Sequence, residues 1–162
     1  ANIGEDQLSE DFPSSDTYKT LEAHAKSEGS ELLVICAQIE AELAELSGED
    51  KIAFLEDLGI TESGLDALIK ASYKLLGYIS FLTAGPKEVR AWTFKKGMKA
   101  KECAGIIHTD FERGFIRAEV VNYKDLVENG SMVAAKEKGL VRSEGKEYVV
   151  QDGDVVLFKF NV

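Results

Sequence analysis

Phe81-Leu82-Thr83-Ala84-Gly85-Pro86-Lys87-Glu88-Val89-Arg90-Ala91-Trp92-Thr93 is the stretch on which the fold turns. Residues 78–83 and 88–94 are rich in β-branched and aromatic side chains, which suit a pleated, half-buried surface. Ala84-Gly85-Pro86-Lys87 between them has the composition and length of a hairpin turn. Two antiparallel strands are therefore predicted here.

Downstream, residues 99–104 read as a short helix and residues 114–121 as a strand with partial alternation. Asn122 and Asp125 open a helical stretch that reaches Asn129-Gly130. Residues 147–150 and 155–160 read as strands on either side of an Asp152-Gly153 turn. A hairpin, a helix and strands returning across it within about 85 residues outline a β-grasp domain over residues 77–162.

Upstream the period is helical. Residues 14–29 predict a helix with Ser14 or Ser15 as cap, Asp16 in the first turn and Gly29 just past the end. Leu32-Leu33-Val34-Ile35-Cys36 is a continuous apolar run, the pattern of a parallel strand buried on both faces. Helical spacing returns over residues 40–46 and 49–58, and again from Thr61 and Glu62, where Leu65, Leu68, Ile69, Ser72, Tyr73 and Leu76 share a face up to Gly77. A lone strand cannot bury both faces, so residues 1–76 look like the tail of an α/β sheet. The expected class is α+β, with that remnant followed by the β-grasp unit.

Charge divides the chain in the same place. Residues 1–76 hold 17 acids and 5 bases, whereas residues 77–162 hold 12 acids and 14 bases, within a total net charge of −10. Lys87, Arg90, Lys95, Lys96, Lys99 and Lys101 fall within fifteen positions that contain one acid, Glu88. Such asymmetry suggests two units with different partners. No apolar run nears the ~18 residues needed to span a bilayer, and the first residues lack a basic start and an apolar h-region, so neither membrane nor secretion is expected. Cys36 and Cys103 lie far apart and only two histidines are present, which excludes a Cys/His zinc site and favours the cell interior.

Asn2-Ile3-Gly4-Glu5 has the form N-x-x-E directly before a helix, and the apolar run ends in Cys36-Ala37. GTPase folds read their base with Asn-Lys-x-Asp at one strand end and cover it with a backbone N–H from Ser-Ala at the next. There, Asp accepts from the N1–H and 2-amino donors of guanine. Glu5 and Ile3 in place of Asp and Lys remove that match, while Asn2 retains the pairing of an amide with the N6/N7 edge of adenine.

Longer strings then identify a family. The residue 81–93 stretch, Ala104-Gly105-Ile106-Ile107-His108-Thr109-Asp110-Phe111-Glu112-Arg113-Gly114-Phe115-Ile116, and Asp152-Gly153-Asp154-Val155-Val156 through Phe158-Lys159-Phe160-Asn161-Val162 resemble the C-terminal part of the Obg-like ATPases, the YchF subfamily of translation-associated P-loop proteins. The resemblance implies the last portion of a nucleotide-binding domain that prefers ATP, followed by a TGS domain that contacts ribosome and RNA. It carries base contacts to Asn2, Ile3 through its backbone, Glu5, Cys36 and Ala37. Cysteine stands where the family usually has Ser, which matters little if the contact is a backbone N–H.

The sequence contains no G-x-x-x-x-G-K-[ST], so nothing in it cradles phosphates or places a Ser/Thr on Mg²⁺. ATP and Mg²⁺ are accordingly expected in the complete parent and neither in this chain, which reads as a C-terminal fragment without hydrolysis of its own and without a catalytic residue. The expected partner is the ribosome or its RNA, met through Lys87, Arg90, Lys95, Lys96, Lys99 and Lys101, in the cytoplasm, with no DNA. Trp92 and Phe94 beside these bases suit either base stacking or a core anchor. His108, two residues before Asp110, reads as a turn residue with Phe111 in the core. The competing reading makes the β-grasp surface a protein-docking module without RNA; a third makes it a brace for the nucleotide domain.

Overall fold

In the computed structural model, which describes residues 1–8, 12–85 and 88–161, the chain parts into two units, Ala1–Ser72 and Tyr73–Val162. Helices α1 (Asp16–Ser27), α2 (Ala37–Glu45), α3 (Gly48–Asp57) and α4 (Gly64–Leu76) account for most of the first. Ser15 caps α1, its Oγ accepting the Tyr18 N–H at 3.2 Å. Helix α2 starts at Ala37, three residues before the apolar periodicity suggests, because its cap is not local: Asn2 Oδ1 accepts the Ala37 N–H at 2.9 Å.

The apolar run before α2 departs from expectation. It forms one parallel bridge, Asn2 with Ile35, closed by Ile3 N–H to Ile35 O and Ile35 N–H to Ala1 O, both 2.9 Å. Residues 32–35 are half-buried, not enclosed on two faces, because residues 1–3 are their sole pairing partner among the described residues. Ile3, Cys36, Ile39 and Leu43 form the core here, with Phe12, Phe54, Leu55 and Leu58 packed around it. Ile39 and Leu43, four residues apart on α2, present one helical face. Glu40 on the same helix caps α4, accepting the N–H groups of Gly64 at 2.5 Å and Leu65 at 3.1 Å. A Cβ on Gly64 would stand 2.6 Å from Ile35 Cγ2, so only glycine admits this approach. The face of α4 carrying Leu65, Leu68 and Ile69 remains 45–57% exposed.

The second unit is a mixed five-stranded sheet. The expected hairpin is β1 (Tyr78–Ala84) and β2 (Val89–Lys95), antiparallel in unbroken register from Tyr78–Lys95 to Ala84–Val89. Next come α5 (Ala100–Ile107), α6 (Thr109–Arg113), β3 (Phe115–Asn122), α7 (Tyr123–Asn129), α8 (Met132–Glu137), β4 (Arg142–Glu144) and β5 (Asp154–Phe160). The order is β2-β1-β5-β3-β4, and β5 is parallel to β1 but antiparallel to β3. Residues 147–150, expected as a strand, make only a bridge between Val149 and Lys99; the edge strand is β4. The backbone of residues 147–150 is spent on residues 98–100, with Ala100 N–H donating to Tyr148 O at 2.7 Å and Val150 N–H to Met98 O at 3.2 Å, while Asp154 draws in Tyr148 Oη and the Gln151 N–H. Helices α6 and α8 have no counterpart in the sequence reading. Each has six or fewer residues, too short for a 3.6-residue period to register.

Phe81, fully buried, centres the main core and meets Phe94 and Phe158 edge to face at 5.5 and 5.8 Å. Ala100, Cys103 and Ala104 of α5 close over it, with Ala118 and Val120 of β3. On the opposite face Val121 and Val155 pack with Ala135 of α8. Alternate residues of β3 are thus covered on both sides, which explains its blurred alternation. Burial pushes the Cys103 thiol up to about 12, so it is a packing group and not a nucleophile.

Residues 151–154 join the sheet. Asp152 Oδ1 accepts the Ser80 N–H and Gly153 N–H donates to Ser80 O, both at 2.9 Å, while Tyr123 N–H donates to Gly153 O at 3.0 Å. Asp154, 1% exposed, accepts from Tyr148 Oη at 2.7 Å and Gln151 N–H at 2.9 Å, with Arg142 Nη2 3.8 Å away and also bonded to Tyr148 Oη at 2.9 Å. Gly153 sits at φ +76°, with a Cβ position 2.7 Å from the Tyr123 ring.

Asp154→Ala leaves two donors buried without an acceptor and should lower unfolding free energy by about 3 kcal/mol, read from the urea midpoint. Burial, and the bond to Asp154, push the Tyr148 phenol up to about 12. Its proton is held more tightly in the fold than in the unfolded chain, so its contribution is intact below pH ~10 and is lost as pH rises toward 12. Ultraviolet titration of the five tyrosines should show one late ionisation that Tyr148→Phe removes.

Candidate nucleotide-base corner and basic surface

The N-x-x-E segment and the Cys36-Ala37 turn, 35 residues apart, meet through the Asn2–Ala37 hydrogen bond. That bond fixes the Asn2 amide: Oδ1 is spent on Ala37 N–H, so Nδ2 is left as the donor at the corner. Gly4 N–H donates to Gln7 Oε1 at 3.0 Å and Leu8 N–H to Glu5 O at 3.1 Å, folding residues 5–7 into a single 3-10 turn. Glu5 is exposed, and its Oε2 accepts from Gln38 Nε2 at 3.4 Å. Gln38, in the first turn of α2, was not singled out from the sequence; its place directly after Cys36-Ala37 was the available signal.

Ile3 is 8% exposed and its side chain belongs to the core, while its N–H is engaged with Ile35 O. Cys36 is 4% exposed, its side chain among Ile3, Ile39 and Leu43. Asn2 and Glu5 therefore supply the polar groups here; the Ala37 N–H, expected to meet a base, is taken by Asn2, and Ile3 and Cys36 lie in the core. The segment thus offers an amide donor at Asn2 Nδ2 and a carboxylate at Glu5.

The basic cluster does not gather on one face. In β2, Arg90, Trp92 and Phe94 alternate with Ala91, Thr93 and Lys95, so Arg90 and Lys95 point to opposite sides. Arg90 lies over the Trp92 ring at 4.2 Å, and the Trp92 Nε1–H donates to Thr83 Oγ1 at 2.9 Å. Trp92 is a half-buried wall of an apolar groove of about 540 Å³, shared with Ile107, Phe111, Phe158 and Phe160. Its face is covered, and Phe94 is 2% exposed, so neither ring is a free stacking platform.

Lys99 Nζ is held by Glu147 at 2.5 Å, which raises the lysine and lowers the carboxyl from their usual ranges. Lys95, Lys96 and Lys101 are exposed and make no ion pair among the described residues. Lys87 lies outside the described residues. His108 Nδ1 accepts the Asp110 N–H at 3.1 Å and caps α6, a structural duty, while Phe111 stacks on Phe160 at 3.9 Å. Among the described residues no group of three or more His, Cys, Asp or Glu could hold a metal ion, and no helix is long and apolar enough to cross a membrane.

Comparison with known proteins accounts for both units. A family model, YchF-GTPase_C, described as a protein of unknown function (DUF933), matches residues 78–161. Ribosome-binding ATPase YchF of Bacillus subtilis is 63% identical over all 162 residues, and that of Escherichia coli O157:H7 46%. The chicken Obg-like ATPase 1 is 48% identical over 82% of the chain and 33% of its own length. Among solved structures, the Schizosaccharomyces pombe YchF GTPase superposes with a TM-score of 0.84 at 32% identity, covering 98% of this chain and 42% of that one. A GTP binding protein from Pyrococcus horikoshii shares the fold, with a TM-score of 0.61 at 20% identity over 91% of this chain and 43% of that one. The α+β chain belongs to the YchF family of Obg-like ATPases. It spans 44% of the length of its bacterial relatives.

Asn2→Ala removes the acceptor at the first turn of α2 and should cost about 1 kcal/mol. Hydrogen exchange should show the Ala37 amide losing protection while the amides of β1 and β5 keep theirs.

Proposed function

We propose that this chain supplies the purine-reading corner and a ribosome-contacting TGS domain of a cytoplasmic, ribosome-binding ATPase. On this reading residues 1–76 are the final portion of the nucleotide-binding domain, and residues 77–162 form a β-grasp TGS domain. The observation that carries it is the 2.9 Å bond from Ala37 N–H to Asn2 Oδ1, which brings together the two segments that the family resemblance assigns to the base. Asn2 Nδ2 donates to N7, which ATP and GTP share. Glu5, steadied by Gln38, accepts from the adenine amine and disfavours the guanine oxygen. ATP brings the phosphoanhydride that is cleaved; this chain's residues hold and orient its base. The donor set fits the base alone, so the phosphates and Mg²⁺ belong to the rest of the protein.

Lys95, Lys96 and Lys101 support the second half of the proposal. They project three unneutralised charges from one end of β2 and the start of α5, suited to phosphates of ribosomal RNA. Lys99 and Arg90 contribute less, being occupied by Glu147 and Trp92.

In the complete protein, Glu5→Ala should weaken ATP about 10- to 150-fold in calorimetry, as loss of a hydrogen bond to a charged group implies, and should strengthen GTP, whose oxygen no longer faces a carboxylate. Asn2→Ala should weaken both alike. Equal losses for Glu5→Ala would reject the base assignment. Reversing Lys95, Lys96 and Lys101 to Glu should reduce ribosome co-sedimentation and flatten the log–log salt dependence by ~2–3; unchanged pelleting and slope would favour the protein-docking reading.

A further inference from the structure

The free edge of β2 is built to pair. Two bonds set the parity of the hairpin: Gly85 N–H to Glu88 O at 2.9 Å closes one end and Lys96 N–H to Gly77 O at 2.8 Å the other. In an antiparallel ladder, pairs that exchange bonds alternate with pairs that do not. Arg90, Trp92 and Phe94 consequently bond to β1, and Val89, Ala91, Thr93 and Lys95 turn their N–H and C=O groups outward. All four are exposed, and β2 has no second neighbour among the described residues. The strand is seven residues long and free of bulges. Sheet edges of that length are usually blunted or covered.

We infer that a second copy of this chain covers it, the two β2 strands pairing antiparallel about a two-fold axis through Trp92. Charge selects that occupant and that register. Centring on Trp92 sets Val89 opposite Lys95 and Ala91 opposite Thr93, each twice, so all four outward residues of both strands find bonding partners. The same register places Glu88 of each copy opposite Lys96 of the other, an acid–base pair made twice by symmetry. Sliding by one bonding pair toward Lys95 reduces four bonding pairs to three and sets Arg90 opposite Lys96. An isologous contact of this kind needs no other surface. Two such strands bury less than the ~1,200 Å² of a standard interface, so the dimer forms and dissociates with concentration. It also covers Lys95 and Lys96, which makes self-association and the proposed ribosome contact mutually exclusive.

Sedimentation equilibrium of the 162-residue chain at low salt tests this from ~10 μM to ~1 mM, a range that brackets weak affinities. Weight-average mass should rise from 17.8 kDa toward twice that value. Ala91→Pro removes an outward N–H that β1 does not use, so it should hold the chain at monomer mass with an unchanged circular-dichroism spectrum. Glu88→Lys and Lys96→Glu should each weaken association at least tenfold, and the double exchange should restore it. A chain that stays monomeric to ~1 mM, single charge variants that associate like the parent, or a double exchange without rescue would overturn the inference. Ribosome pelleting does not enter these readouts, so the pairing and the RNA contact can fail separately.

Discussion

The four residues Gln151 to Asp154 fasten the second unit: Asp152 and Gly153 grip Ser80 of β1, Gly153 takes the N–H that opens α7, and Asp154 anchors Tyr148 from inside. The pairing of β1 with β5 is parallel, and a parallel pair cannot be closed by a hairpin. Some other device must set where β5 enters. Here it is a carboxylate and a left-handed glycine reaching a strand 72 residues earlier. With β5 fixed, the side chains of Val155, Val156 and Phe158 fall alternately on the two apolar layers, and α5 and α8 have faces to cover.

The first unit uses the same economy of long-range caps. Two of its helices begin on side chains borrowed from elsewhere: Asn2 for α2 and Glu40 for α4. Helix N-termini leave amides without partners, and distant caps tie elements together while satisfying them. Asn2 serves twice on the proposed reading, since the bond that caps α2 also leaves its amide N–H groups as the donors for a base. Structure and proposed recognition thus rest on one side chain.

Much of this was legible in the sequence. The hairpin announced itself through aromatic and β-branched runs around a Gly-Pro pair, and Gly29 and Gly77 each follow a helix at positive φ. Three things were not. The strand expected at residues 147–150 is only a bridge to residues 98–100, a long-range pairing that β-propensity does not encode. The apolar run at 32–36 indicated burial on two faces, yet only one segment of this chain pairs with it. Clustering of six bases in sequence suggested a single patch, but strand alternation sends Arg90 and Lys95 apart and Glu147 claims Lys99. At the base corner the motif residues were visible, whereas the amide orientation of Asn2 and the tether from Gln38 are products of the fold.

The position of β5 bears on how the molecule is made. The strand at the middle of the sheet is translated after every strand it separates. About sixty residues intervene between β2 and β5, which at ~5–20 residues per second is a delay of about 3–12 s. Throughout that interval the nascent hairpin displays Phe81 and Phe94 with no central neighbour to shield them. A polypeptide whose relatives bind the ribosome spends those seconds tethered to one, with its aromatic layer open to whatever surrounds the exit site.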